Sequence, residues 1–126
     1  MARHENVKQA VQSDADLQRW WDTIQSRNPV FFELITARLH YVEMPDLYML
    51  ILELDDCLDD LDVIMCPPSV TVVREQIKRA VRHMMAALVH MGRGQYEHAG
   101  RHVELARIDY QHALAVSSPS SYPDVE

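Results

Sequence analysis

The stretch DLYMLILELDDCLDDLDVIM, residues 46–65, decides the fold, because its apolar and its acidic side chains fall on opposite sides of a helix. At about 100° per residue, the apolar side chains share one continuous arc. They are Leu47, Leu50, Ile51, Leu54, Cys57, Leu58, Leu61, Ile64 and Met65. The opposite arc carries Glu53, Asp55, Asp56, Asp59, Asp60 and Asp62. The pattern predicts a helix that buries its leucines among other helices and turns its carboxylates to water.

The net charge of the chain is concentrated in this same segment. With Asp46 it holds seven carboxylates and no lysine or arginine, and the formal net charge of the whole chain is −7. The rest of the sequence is therefore neutral overall. A nucleic-acid-binding domain usually carries a basic surface, so the acidic balance argues against a nucleic-acid partner.

Length and composition are those of one globular domain. The chain has 126 residues, of which 48% are hydrophobic and 25% charged, which is enough to bury a core. The longest apolar run, residues 47–52, is far shorter than a transmembrane helix, and residues 1–12 lack the apolar stretch of a signal peptide. Cys57 and Cys66 would lie about 13 Å apart on one helix, too far for a disulfide. We therefore expect a cytoplasmic protein with no membrane contact.

Helical spacing recurs on both sides of the acidic segment. Helices are predicted over 14–27, 29–43, 69–91 and 95–115, and residues 1–12 are weakly helical. Ser13 is expected to cap the first of these, and Ser69 or Thr71 the helix that follows Pro67-Pro68. The helices are separated at Asn28-Pro29, Pro45, Pro67-Pro68 and Gly92-Arg93-Gly94.

Short connections favour antiparallel neighbours. The sequence thus predicts an all-α fold, an up-and-down antiparallel helical bundle of four main helices plus a short N-terminal helix. Residues 1–116 would form this single domain, and residues 117–126 (SSPSSYPDVE) have the composition of a disordered tail.

Two oppositely charged faces and one aromatic pair are the candidate partner-binding residues. The acidic face is represented by Glu53, Asp56, Asp59 and Asp60, and the basic face by Arg74, Lys78 and Arg82. Opposite patches on one molecule favour self-association, because they can meet across two copies. Trp20 and Trp21 point about 100° apart, so both are buried only if their helix is covered on two sides. We expect one of them to lie at an oligomer interface.

The acidic helix also resembles two enzyme motifs. Asp55-Asp56-Cys57-Leu58-Asp59 resembles the DDxxD motif of isoprenoid synthases, in which carboxylates hold magnesium ions that bind a diphosphate. Glu53-x-x-Asp56 resembles half of the paired acidic motif of the all-α nucleotide pyrophosphatases. These resemblances imply an alternative function, a magnesium-dependent enzyme acting on a nucleotide or diphosphate, with Asp55, Asp56 and Asp59 as metal ligands. The partner motif is expected on helix 29–43, whose only carboxylates, Glu33 and Glu43, stand ten residues apart rather than three.

The last helix offers a second candidate metal pair. His98 and His102 are one turn apart, a spacing that can bind a metal ion from one face, although two ligands make an incomplete site. The neighbouring pattern Gly94-x-Tyr96-x-x-Ala99, with Val103 and Ala106, resembles the second helix of a tetratricopeptide hairpin. That resemblance implies two helices in close contact, as in protein-binding adaptors.

Together these observations favour a small helical protein-interaction module, an adaptor or regulator that self-associates and has no catalytic activity of its own. Its partners would be another protein, a second copy of the chain, or both. No cofactor is expected, except magnesium under the alternative.

Overall fold

The described residues form five α-helices, and the all-α bundle prediction is confirmed. The structure, a computed structural model, describes residues 2–36 and 47–117, with side chains from residue 15 to residue 115 except Ser69. The helices are α1 (Ala2–Arg27), α2 (Pro29–Thr36), α3 (Leu47–Val63), α4 (Thr71–Gly92) and α5 (Tyr96–Ser117), with a 3-10 turn at Pro68–Val70. Within the described ranges no residue is in a strand.

Contacts between helices show that α3, α4 and α5 run antiparallel to one another in sequence order. Leu47, at the start of α3, lies beside Gly92 at the end of α4, while Asp62 near the end of α3 pairs with Lys78 in the first half of α4. The turn between α4 and α5 is tight, and Gly94 reverses the chain there with φ +73°, a conformation that favours glycine.

The leucine side of α3 lies in the core as the sequence predicts. Leu54, Cys57 and Leu61 are fully buried, and they face a continuous apolar stripe on α4. That stripe comprises Val73, Ile77, Ala80, Val81, Met84, Ala87, Leu88 and Met91. α5 contributes mainly small side chains to the core: Ala99, Val103, Ala106 and Ala113. Alanines at seven-residue spacing on both helices let α4 and α5 pack closely, as the resemblance to a tetratricopeptide hairpin implies.

Several helix bounds differ from those predicted. α1 is continuous through Ser13, since residues 2–27 contain no proline or glycine and a single serine disfavours a helix interior only weakly. α4 begins after Val70, which offers no side-chain cap, so the expected Ser69 or Thr71 cap is wrong. α3 ends at Val63, three residues before Cys66. Residues 37–43 of the predicted second helix and residues 118–126 of the predicted tail lie outside the described residues.

The described helices and the two cysteines bear on the expected membrane contact and disulfide. No helix in the described part of the chain is long and apolar enough to cross a membrane. Cys57 and Cys66 are free thiols, as predicted, and Cys57 is a fully buried core residue.

Candidate functional site

The acidic side of α3 is two stripes rather than one uniform face. Helical spacing places Glu53, Asp56 and Asp60 along one edge of the solvent side, and Asp55, Asp59 and Asp62 along the other. The first edge faces the corner between α1 and α2, and the second faces α4. The two stripes therefore meet different neighbours.

The first stripe is anchored at its C-terminal end by the α1–α2 corner. Asn28 is the corner residue and is buried, and its amide donates hydrogen bonds to the carbonyl of Ile24 at 3.1 Å and to Asp60 Oδ2 at 3.2 Å. Arg27 Nε lies 3.3 Å from the same carboxylate oxygen. Burial of the amide needs these acceptors, because an unpaired polar group inside a protein is costly. Asp60, predicted to face a partner, thus has a structural role within the chain.

The second stripe is anchored to α4 by one ion pair. Lys78 Nζ lies 2.5 Å from Asp62 Oδ1 and 4.0 Å from Glu75, and its side chain is only 13% exposed. The hydrogen bond from Lys78 lowers the pKa of Asp62, helped by the positive charges of Arg74 and Arg82. The edges of the acidic and basic faces therefore pair inside the α3–α4 hairpin.

Four carboxylates of α3 remain outside these pairs. Glu53, Asp55, Asp56 and Asp59 are exposed, and in the part of the chain that the structure describes none has a cationic or hydrogen-bonding partner. Glu53 and Asp56 also line an open cleft of about 260 Å³ against Arg27, Asn28 and the start of α2. The unpaired acidic face is therefore narrower than the sequence suggested, and it excludes Asp60.

The predicted basic face divides in the same way. Arg74 and Lys78 lie on the side of α4 that faces α3, and Arg74 pairs with Glu75 at 3.1 Å. Arg82 points outward, and so does Arg79, which completes the exposed pair. Within the described residues neither makes an ion pair closer than 4 Å. Among the cationic side chains on the basic side of α4, those open to a partner are thus Arg79 and Arg82.

The tryptophan pair is covered on two sides by this chain itself. Trp20 is 3% exposed and lines a groove of about 450 Å³ between α1 and residues 64–68, while its Nε1 has no hydrogen-bond partner among the described residues. Trp21 is half-buried, stacked on Tyr110 with the rings 6.3 Å apart and edge-on to Phe32. Residues 64–68 therefore cover the side of α1 that carries Trp20, and α2 and α5 cover the side that carries Trp21. An interface role for either indole stays a prediction.

The predicted histidine pair is replaced by a cluster that joins two helices. His102 Nδ1 lies 3.2 Å from Nδ1 of His83 on α4, and its ring is stacked on that of His90 at 5.2 Å. His98, the expected partner of His102, instead lies beside His90 with the ring centroids 5.4 Å apart. Burial is the largest cause of a lowered pKa at His102, and the charges of the imidazoles of His83, His90 and His98 lower it further.

Sequence reasoning missed His83 and His90, although a signal was present. The two histidines stand seven residues apart, so they share one face of α4. A hairpin folded at Gly94 brings that face against the start of α5, where His98 and His102 lie. Pairing positions across the turn would have found the cluster.

The described side chains were searched for metal-binding groups, and the chain was compared with known proteins. Among the described His, Cys, Asp and Glu side chains, no group of three or more is already placed to hold a metal ion. Comparison with known protein families, curated proteins and solved structures finds no match for this chain.

Proposed function

We propose that this chain is a protein-interaction module, an adaptor or regulator, that self-associates through the outer faces of α3 and α4. The observation that carries the proposal is the separation of paired from unpaired charge on these two helices. Asp60 and Asp62 are held by internal partners, whereas Glu53, Asp55, Asp56 and Asp59 are exposed with no described partner.

The unpaired carboxylates lie close together and repel one another, which favours binding of a cationic partner. Asp55 and Asp59 are one turn apart on the same edge, and like charges at that spacing destabilise a helix by a few tenths of a kcal/mol. A basic surface laid on them would remove that repulsion. Exposed apolar side chains continue the same side of the helix toward its start, where Tyr48 is 69% and Leu52 is 41% exposed. An apolar patch bordered by charge is typical of a protein interface.

A second copy of the chain supplies the complementary surface. Arg79 and Arg82 lie on the outer side of α4, the helix packed directly against α3. An acidic and a basic face side by side on one molecule are complementary to themselves under a two-fold rotation, with α3 of one copy on α4 of the other. The same charges disfavour nucleic acid, and free thiols at Cys57 and Cys66 suit the reducing cytoplasm, where we place the protein.

The test is sedimentation equilibrium of the full chain from about 1 to 200 µM in low and in high salt. We expect dimers at low salt that dissociate as salt rises, because exposed charges are screened. Asp59→Lys and Arg82→Glu should each weaken dimerisation about tenfold, equivalent to about 1.4 kcal/mol. An equal mixture of the two variants should associate again, since each supplies the charge that the other lost.

Glu104→Lys on α5 is the matched control, because it makes the same change of charge at an exposed position away from both faces. It should leave dimerisation unchanged. A monomer at 200 µM in low salt would refute self-association. Equal weakening by Asp59→Lys and Glu104→Lys would show that only net charge matters, and would remove α3 as the binding face.

A further inference from the structure

We infer that the α4–α5 seam holds a binding site for a late first-row divalent cation such as Zn²⁺, with His83 Nδ1 and His102 Nδ1 as the two protein ligands. This site is independent of the charged face of α3, since it lies where α4 packs against α5. Solvent would complete the coordination, because no third described side chain is placed as a ligand.

The distance between the two nitrogens fits a shared metal ion. Zn–N bonds of about 2.0–2.1 Å in a tetrahedral site place two nitrogens about 3.3–3.4 Å apart. The Nδ1 atoms of His83 and His102 are 3.2 Å apart. In the metal-free protein the same geometry is an N–H···N hydrogen bond along the line between them. Binding requires each ring to turn by roughly 35° so that both lone pairs meet off that line.

The carboxylate of Asp109 favours the tautomer of His83 that can bind a metal ion through Nδ1. Its Oδ2 lies 3.8 Å from His83 Nε2, beyond hydrogen-bond distance, so it is the negative charge of the carboxylate that favours the neutral tautomer with the proton on Nε2. The two atoms must come closer when the ring turns to bind the ion. That tautomer leaves the Nδ1 lone pair free. A carboxylate behind a ligating imidazole is a common arrangement in zinc sites, where it fixes the ring and raises its basicity. On binding, His102 moves its proton from Nδ1 to Nε2, so that both ligands remain neutral imidazoles.

The position and the chemistry of the histidine seam both suit a cation. The His83 side chain is 31% exposed, so that an ion can reach the seam from solvent. His90 stacks on His102, and its own Nδ1 donates a hydrogen bond to Gln95 Oε1 at 2.7 Å, so this nitrogen is not free to bind the ion. Imidazole nitrogen suits zinc, copper and nickel rather than magnesium or calcium.

Calorimetric titration of the untagged full chain with ZnCl₂ at pH 7.5 tests the site, with the thermal midpoint followed in parallel. We expect one Zn²⁺ per chain and a rise in the midpoint, because a ligand that binds only the folded state stabilises it. His83→Ala and His102→Ala should each lower the affinity by more than tenfold. Asp109→Asn should lower it about tenfold, as for other residues that orient a ligand.

Two matched variants separate this site from simpler explanations. His98→Ala removes the partner of His102 in the one-turn pair, and His112→Ala removes an exposed histidine elsewhere on α5. Both should bind Zn²⁺ like the unaltered chain, with helical circular dichroism confirming that every variant is folded. Absence of binding up to about 1 mM Zn²⁺, or equal loss in His98→Ala and His83→Ala, would overturn the inference.

Discussion

At the scale of single residues, environment makes side chains of the same type chemically different. Cys57 is fully buried on the core side of α3. Burial, together with the nearby charge of Asp60, raises the pKa of its thiol to about 12. Cys66 follows the end of α3 and is partly exposed, with its Sγ 3.4 Å from the carbonyl of Pro67. Burial also raises the pKa of Cys66, but its sulfur remains within reach of solvent.

This contrast predicts ordered labelling of the two thiols. A disulfide reagent at pH 8 should modify Cys66 slowly and leave Cys57 unmodified, because the thiolate is the reactive form and Cys57 neither ionises nor meets the reagent. Both should react quickly in denaturant. Peptide mapping after timed quenching measures the order. Cys66→Ser is the control, since it should abolish native labelling. Native modification of Cys57 at the rate of Cys66 would contradict the packing described for α3.

At the scale of helices, the α4–α5 hairpin depends on two glycines with different roles. Gly92 is the last residue of α4, and a Cβ added there would meet Leu47 Cδ1 at 3.7 Å, an ordinary contact. Gly94 has open space around it, but its φ is +73°. Space limits neither position, so the backbone conformation alone separates them.

Alanine substitutions at the two glycines should therefore have different effects on stability. Gly94→Ala should lower the free energy of unfolding by about 1–2 kcal/mol, the cost of a left-handed conformation for an L-residue. Gly92→Ala should leave it unchanged or raise it by up to about 1 kcal/mol, because alanine reduces the entropy of the unfolded chain and favours a helix. Urea denaturation followed by circular dichroism measures both. Equal destabilisation by the two variants would show that the turn does not govern the hairpin.

At the scale of the whole molecule, titrating groups on different helices couple stability to pH. His102 lies against His83 and His90 of α4 and feels the charge of His98 on its own helix, while Asp109 lies on the far side of His83. Its folded-state pKa is below the ordinary 6.5. Asp62, held by Lys78, has a pKa below the ordinary 3.8. Both groups bind protons more readily in the unfolded chain, so both make stability fall as pH falls.

The two groups act in separate pH windows. The contribution of His102 to the free energy of unfolding should be constant above pH 6.5. It should decline below that value, because His102 takes up its proton at a higher pH in the unfolded chain than in the folded one. Asp62 should add a further decline only below pH 3.8. Urea midpoints from pH 8 to pH 3 measure the profile. His102→Gln should flatten the upper decline, whereas His112→Gln, at an exposed position, should not. A profile unchanged by His102→Gln would refute this assignment.

The sequence by itself determined where helices begin and end at strong breakers and which side of each is buried. Pro29 begins α2 and Gly94 follows the end of α4 through their own backbone restrictions, and the leucines of α3 share one side through their spacing. These features depend only on residues close together in the chain. The same locality explains why the start of α1 was misplaced, because Ser13 is a weak signal that the surrounding helix formers outweigh.

Only the tertiary structure decided which charged and polar side chains meet. Asp60 reaches Asn28 across 32 residues, Asp62 reaches Lys78 across 16, and His83 reaches His102 across 19. Each contact depends on the rotation and offset of two packed helices. Hydrophobic burial sets these only approximately, because it is not directional and acts on whole stripes of side chains. The candidate face on α3 was therefore foreseen as a surface, while its division into paired and unpaired carboxylates was not.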